Sequence, residues 1–186
     1  MDDRRAELLA GATAWATENG LATLSLRPLA KALGTSDRML LYWFGSRDGL
    51  LAAIAEHAGD ALSLALPAVD PDAPPPSPRA WLDGCWALFT DPGIRPAMAL
   101  LFELDALGAR APGPARDAAR GVGDRWIGVV DDALAALGVA EPGRQPLTKV
   151  VAGALVGLAL DALVRDGLTR PDAAFDVLAD LIERAR

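Results

Sequence analysis

The chain has 186 residues, 52% hydrophobic and 23% charged, enough for a sizeable core in one or two domains and unlike a disordered protein. Its formal net charge is −7, and with one cysteine (Cys85) and one histidine (His57) no intramolecular disulfide or metal-ligand cluster is expected. The start, MDDRRAELL, lacks the apolar segment of a secretory signal, and the longest unbroken apolar run, residues 150–160, falls short of the roughly 20 residues needed to span a bilayer. A cytoplasmic protein that does not enter membranes is expected.

Nearly every long segment reads as helix and no run shows sustained strand alternation, so the expected fold class is all-α. The first helix should cover residues 4–18, with Leu8, Ala12 and Trp15 on one side and Asn19-Gly20 as its stop. Ser25 is placed to cap a second helix that tolerates Pro28 in its first turn, where backbone donors have no helical partner. Its apolar residues Leu26, Leu29, Ala30 and Leu33 fall at i, i+3, i+4 and i+7. After the turn Gly34-Thr35-Ser36 a third short helix carries Leu40, Trp43 and Phe44 on one face. Ser46 caps a fourth, running through Leu50, Leu51 and Ile54 to Leu64 or Leu66.

Residues 67–80 hold six prolines in fourteen positions and should form an extended connection. Ser77-Pro78 then opens a helix through Trp81, Trp86 and Phe89, which Asp91-Pro92-Gly93 ends. Further helices are expected over 96–107, about 115–137, about 147–165, and from Pro171 to the C-terminus, with breaks at 109–114 and 138–146.

Two short helices joined by a three- to four-residue turn containing glycine make a helix-turn-helix, whose second helix can enter a DNA major groove. Charge agrees with this. Residues 1–50 balance to zero, whereas residues 51–186 carry the whole −7; between Ser25 and Arg47 four basic residues face one acid, Asp37. With ions screening surface charge beyond about 8–10 Å, a local basic surface still attracts phosphate. Arg27 can contact a guanine edge, Arg38 a base or a phosphate, and Thr35, Ser36 and Tyr42 offer hydroxyls. Arg47 opens the fourth helix, where phosphates often lie. Asp37 would cap the third helix or accept from a cytosine amino group.

Residues 5–54 resemble the DNA-binding domain of the TetR family of bacterial transcriptional regulators. The likeness rests on the alanine-rich first helix ending in Glu18-Asn19-Gly20, on Leu24-Ser25-Leu26-Arg27, on Leu29-Ala30 and Leu33-Gly34, and on Leu40, Phe44-Gly45-Ser46-Arg47 and Leu50-Leu51. The resemblance implies a three-helix DNA-binding domain (1–46) followed by a helical effector-binding and dimerisation domain (47–186). It places Ser25, Arg27, Thr35, Ser36, Arg38, Tyr42, Trp43 and Arg47 at family DNA-contact positions. Trp43 stands where the family often has histidine, for backbone contact or for packing, and Leu41 stands where it often has tyrosine.

The same resemblance implies a homodimer on a palindromic double-stranded operator, released by a small apolar or amphipathic effector, with no cofactor. The aromatic side chains Trp81, Trp86, Phe89, Phe102 and Trp126, with Asp105 as a polar anchor, are the candidate effector wall, against the reading of helical-spaced aromatics as plain core. Residues 150–160 are apolar nearly all round and contain Gly153-x-x-x-Gly157, which permits close helix approach. With the stripe on the last helix, Gly153, Gly157, Leu160, Phe175, Leu178 and Ile182 are the candidate dimer interface. Two rivals stand beside a repressor: an activator or protein-responsive regulator of the same fold, and a helical enzyme or binding module. Against the enzyme, there is no nucleophile–base set, phosphate loop or metal motif.

Overall fold

The computed structural model describes residues 2–65, 75–110, 112–165 and 171–186; the proline-rich expectation at 67–80 therefore lies largely outside the described residues. Among the described residues there are nine helices and no strand: α1 (Asp2–Asn19), α2 (Leu26–Ala32), α3 (Asp37–Phe44), α4 (Arg47–Ala65), α5 (Pro78–Thr90), α6 (Arg95–Arg110), α7 (Pro114–Ala136), α8 (Arg144–Val164) and α9 (Asp172–Glu183).

The ends of these helices follow from local chemistry. Gly20, Gly34 and Gly45 all have positive φ (82°, 60° and 76°), a region closed to most side chains, and each takes the chain out of a helix. The Ser36 hydroxyl accepts the Met39 N–H at 3.3 Å to cap α3, and Ser46 accepts the Gly49 N–H at 2.9 Å to cap α4. Gly49 has a second duty: a Cβ there would lie 2.3 Å from the Phe44 carbonyl oxygen. Ser77 caps α5 through the Ala80 N–H, with Pro78 in the first turn as expected. Ser25 has the extended backbone of an N-cap to α2, but its hydroxyl makes no capping bond.

The chain forms two compact units, the first from Met1–Leu62 and Pro96–Gly123, the second from Ser63–Arg95 and Asp124–Arg186. In the first, Leu8, Ala12 and Ala16 of α1 share a core with Leu29, Leu40, Phe44, Leu50 and Ile54. Leu100, Leu101 and Leu104 of α6 and Ala118 of α7 belong to that same core. The three-helix head is thus closed underneath by a helix from far along the chain.

In the second unit Trp86 of α5 meets Phe175 of α9 edge to face, with ring centroids 5.8 Å apart, and Phe89 meets Trp126 of α7 at 5.7 Å. Arg79 joins the same helices by ion pairs to Asp83, Asp172 and Asp176. The buried Thr148 hydroxyl donates to Asp131 Oδ1 at 2.9 Å, beside the Arg144–Asp131 pair, linking α8 to α7. Helix α8 spans 21 residues and, by length and composition, could cross a membrane, so the expectation based on an 11-residue run needs correcting on length. Its residues Leu147, Val151, Ala152, Leu155, Ala159 and Ala162 are buried in the protein, and Val150, Leu160 and Val164 are exposed.

Candidate nucleic-acid interface

Helix α3 divides its side chains cleanly. Leu40 and Phe44 are buried in the first unit and Trp43 packs against that core, while Asp37, Arg38, Met39, Leu41 and Tyr42 are exposed, Tyr42 by 67%. The division follows from the 3.6-residue period: residues 40, 43 and 44 form one stripe and the rest must face away. The turn before α3 is held by the Thr35 N–H donating to the Ala30 carbonyl at 2.9 Å, with Gly34 in the left-handed region. That bond fixes how α3 leaves α2.

The remaining candidates sort by what their polar atoms already do. Ser25, Arg27 and Arg38 are exposed, and the two arginines make no ion pair among the described residues. Thr35 is half-buried. Ser36 is exposed, but its oxygen accepts the α3 cap, leaving the O–H as its outward donor. Arg47 is partly committed to the fold, since Nε donates to the Leu24 carbonyl at 3.0 Å and a terminal nitrogen lies 3.7 Å from Asp48.

Trp43 is half-buried: its ring packs on the core, and its Nε1, the indole's one donor, is buried with no hydrogen-bond partner. The Tyr42 and Trp43 rings meet in a T-shaped pair with centroids 5.1 Å apart, and Tyr42 remains exposed. Two exposed residues were not singled out from the sequence: Lys31 in the last turn of α2, and Met39, three residues before Tyr42 and outside the buried stripe. The i, i+3 spacing with Tyr42 was the available signal for Met39.

The effector candidates are shared between the two compact units. Trp81, Trp86, Phe89 and Trp126 lie in the second unit, Phe102 and Asp105 in the first. Trp81, Trp86 and Phe89 are almost wholly buried, and the Trp126 N–H already donates to the Ala152 carbonyl at 3.3 Å. Desolvation raises the Asp105 carboxyl above its ordinary range. Glu103, a second possible polar anchor, uses its carboxylate on the Ala22 N–H.

The candidate dimer residues also divide. Phe175, Leu178 and Ile182 are buried within the chain itself, with Phe175 seated on Trp86. Gly153, Gly157 and Leu160 are exposed, together with Val150 and Val164 on α8 and Val177 and Leu181 on α9. Positions 150, 153, 157, 160 and 164 step by three and four, the spacing of a helix-pairing seam.

Residues 8–59 match the model of the bacterial regulatory proteins, tetR family. An HTH-type transcriptional regulator BetI from Ectopseudomonas mendocina (strain ymp) is 33% identical over 85 residues, 44% of this chain and 43% of the relative, so the match spans less than half of that relative's length. Over its whole length the chain resembles the crystal structure of a putative TetR-family transcriptional regulator from Rhodococcus sp., with a TM-score of 0.71 at 21% identity, covering 100% of this chain and 99% of the other. It also resembles the multidrug binding protein EbrR complexed with proflavin, with a TM-score of 0.72 at 23% identity over 96% of this chain and 99% of that one. Residues 8–59 are therefore a TetR-family helix-turn-helix DNA-binding domain, carried on a chain whose fold is that of TetR-family regulators.

Proposed function

We propose that the protein is a cytoplasmic, homodimeric transcriptional repressor that binds a palindromic operator through α3 and leaves it when a small apolar or amphipathic molecule binds. The observation that carries the reading is the exposed face of α3: Arg38, Met39, Leu41 and Tyr42 stand outward beside the glycine turn, while Leu40 and Phe44 anchor the helix. A basic side chain, a phenol and two apolar groups suit a major groove, where guanine edges accept hydrogen bonds and thymine methyls accept apolar contact. Arg27 and Lys31 from α2, with Ser25, Thr35 and Ser36, supply the flanking contacts that set register.

Functionally the chain divides at residue 46/47, the head reading a half-site and the remainder pairing subunits and sensing the effector. The exposed α8 seam of Val150, Gly153, Gly157, Leu160 and Val164, with Val177 and Leu181 of α9, supports pairing: it is apolar, regularly spaced and narrow enough at the glycines for close approach. The effector would insert among Trp81, Trp86, Phe89 and Trp126, whose rings could part around a flat molecule. Such a molecule shifts DNA affinity only by preferring the arrangement that does not bind DNA. The proflavin-bound structural relative makes planar aromatic molecules the first to try.

Mobility shift with DNA from the region adjoining the gene, at moderate salt and with unrelated competitor, tests the reading. A specific shift by one fragment, reversed by a small molecule that also changes tryptophan fluorescence, supports it. Absence of any specific shift overturns it.

A further inference from the structure

We propose that the cavity bordered by the starts of α4 and α7 and the end of α6 binds a small organic monoanion, whose charge Arg47 and Arg110 hold and whose apolar body rests on Leu51, Leu107, Pro112 and Pro114. The cavity, of about 220 Å³, lies within the first compact unit. That volume is below the roughly 300 Å³ at which pockets begin to take drug-sized molecules, so it suits a single ring or a short branched chain.

Its charge selects the ligand's sign and valence. The walls hold two guanidinium groups and one carboxylate, Asp48, a net of one positive charge. Arg47 is held in place by its bond to the Leu24 carbonyl, and Asp48 lies 3.7 Å from it, so Arg47 is a fixed and partly balanced charge. Arg110 is exposed and makes no ion pair among the described residues, so it is the cation available to a carboxylate. Arg47 and Pro114 are the first residues of α4 and α7, and the positive ends of two helix dipoles border the same space. A monoanion balances the net charge of one; a cation would meet both arginines. A carboxylate on a small apolar body satisfies the charged rim and the Leu51–Leu107 floor together.

Titration calorimetry of the full chain with sodium benzoate, without DNA, tests the site. Wild type should show saturable one-site binding with a Kd on the order of 1 mM, and neutral benzamide should bind at least about tenfold more weakly. Arg110→Glu, an exposed position whose folding is checked by its melting curve, should lose about tenfold or more, with Arg110→Lys recovering most of it. No saturable binding by wild type up to about 10 mM, or equal binding by benzamide or by Arg110→Glu, overturns the proposal. Since no DNA is present, failure here leaves the DNA-binding reading intact.

Discussion

The carboxylate of Glu103 accepts the backbone N–H of Ala22 at 2.8 Å, across 81 residues of sequence. It fastens α6 to the corner between α1 and α2, and the same carboxylate oxygens would lie 3.0 and 3.3 Å from a Cβ placed on Gly20. The corner of the DNA-binding head is thus closed by a side chain outside it.

Glu103→Ala should lower stability by about 1 kcal/mol, the usual worth of one partly exposed hydrogen bond. Gly20→Ala should cost more, about 1–2 kcal/mol, because it combines left-handed backbone with crowding by Glu103. Urea unfolding measures both. In the double variant the crowding is relieved, so the two losses should add to more than the measured total; strict additivity would mean that the carboxylate does not meet residue 20.

Arg27 and Arg47 should separate in kind. Arg27→Ala should relax base preference by about 1–3 kcal/mol at one position of the half-site while leaving folding unchanged. Arg47→Ala should reduce the salt dependence of binding and also lower stability by about 1 kcal/mol, since its Nε bond to Leu24 is lost. Fluorescence anisotropy over a salt series, with matched and mismatched operators, reads both. Equal weakening on matched and mismatched DNA by Arg27→Ala would remove it from base contact.

Subunit pairing and folding should respond to different residues, one exposed on α8 and one buried on α9. A Cβ at Gly157 meets nothing within 4 Å, so Gly157→Glu should fold normally and yet elute as a monomer. Phe175→Ala empties a site against Trp86 and should cost about 3–5 kcal/mol of folding stability. Light scattering and thermal melts together decide. A Gly157→Glu protein that remains fully dimeric would move the interface off α8.

Cys85 should be inert in the native protein. Burial pushes its thiol up to about 12, so almost no thiolate exists at neutral pH. A thiol-specific chromogenic reagent should react only after urea unfolding. Because the folded protein favours the protonated thiol, that contribution to stability is complete below the ordinary thiol pKa of about 8.5 and falls as pH rises towards 12. A Cys85→Ala variant should show a shallower alkaline loss; rapid labelling of native Cys85 would contradict its burial.

The sequence by itself determined the helices, their stops and the helix-turn-helix, because these are settled within a few residues by period, caps and glycines. Gly20, Gly34 and Gly45, Ser36, Ser46 and Ser77-Pro78 each act on their immediate neighbours, and each stands at a helix end in the fold. Tertiary structure decided which stripe meets which neighbour. An apolar face says that something covers it, not what: Leu100, Leu101 and Leu104 close the head rather than the second unit, and Phe175, Leu178 and Ile182 turn inward. On α8, apolar nearly all round, the period could not separate the buried Val151, Leu155 and Ala159 from the exposed Val150, Leu160 and Val164. Only the position of the surrounding helices does that.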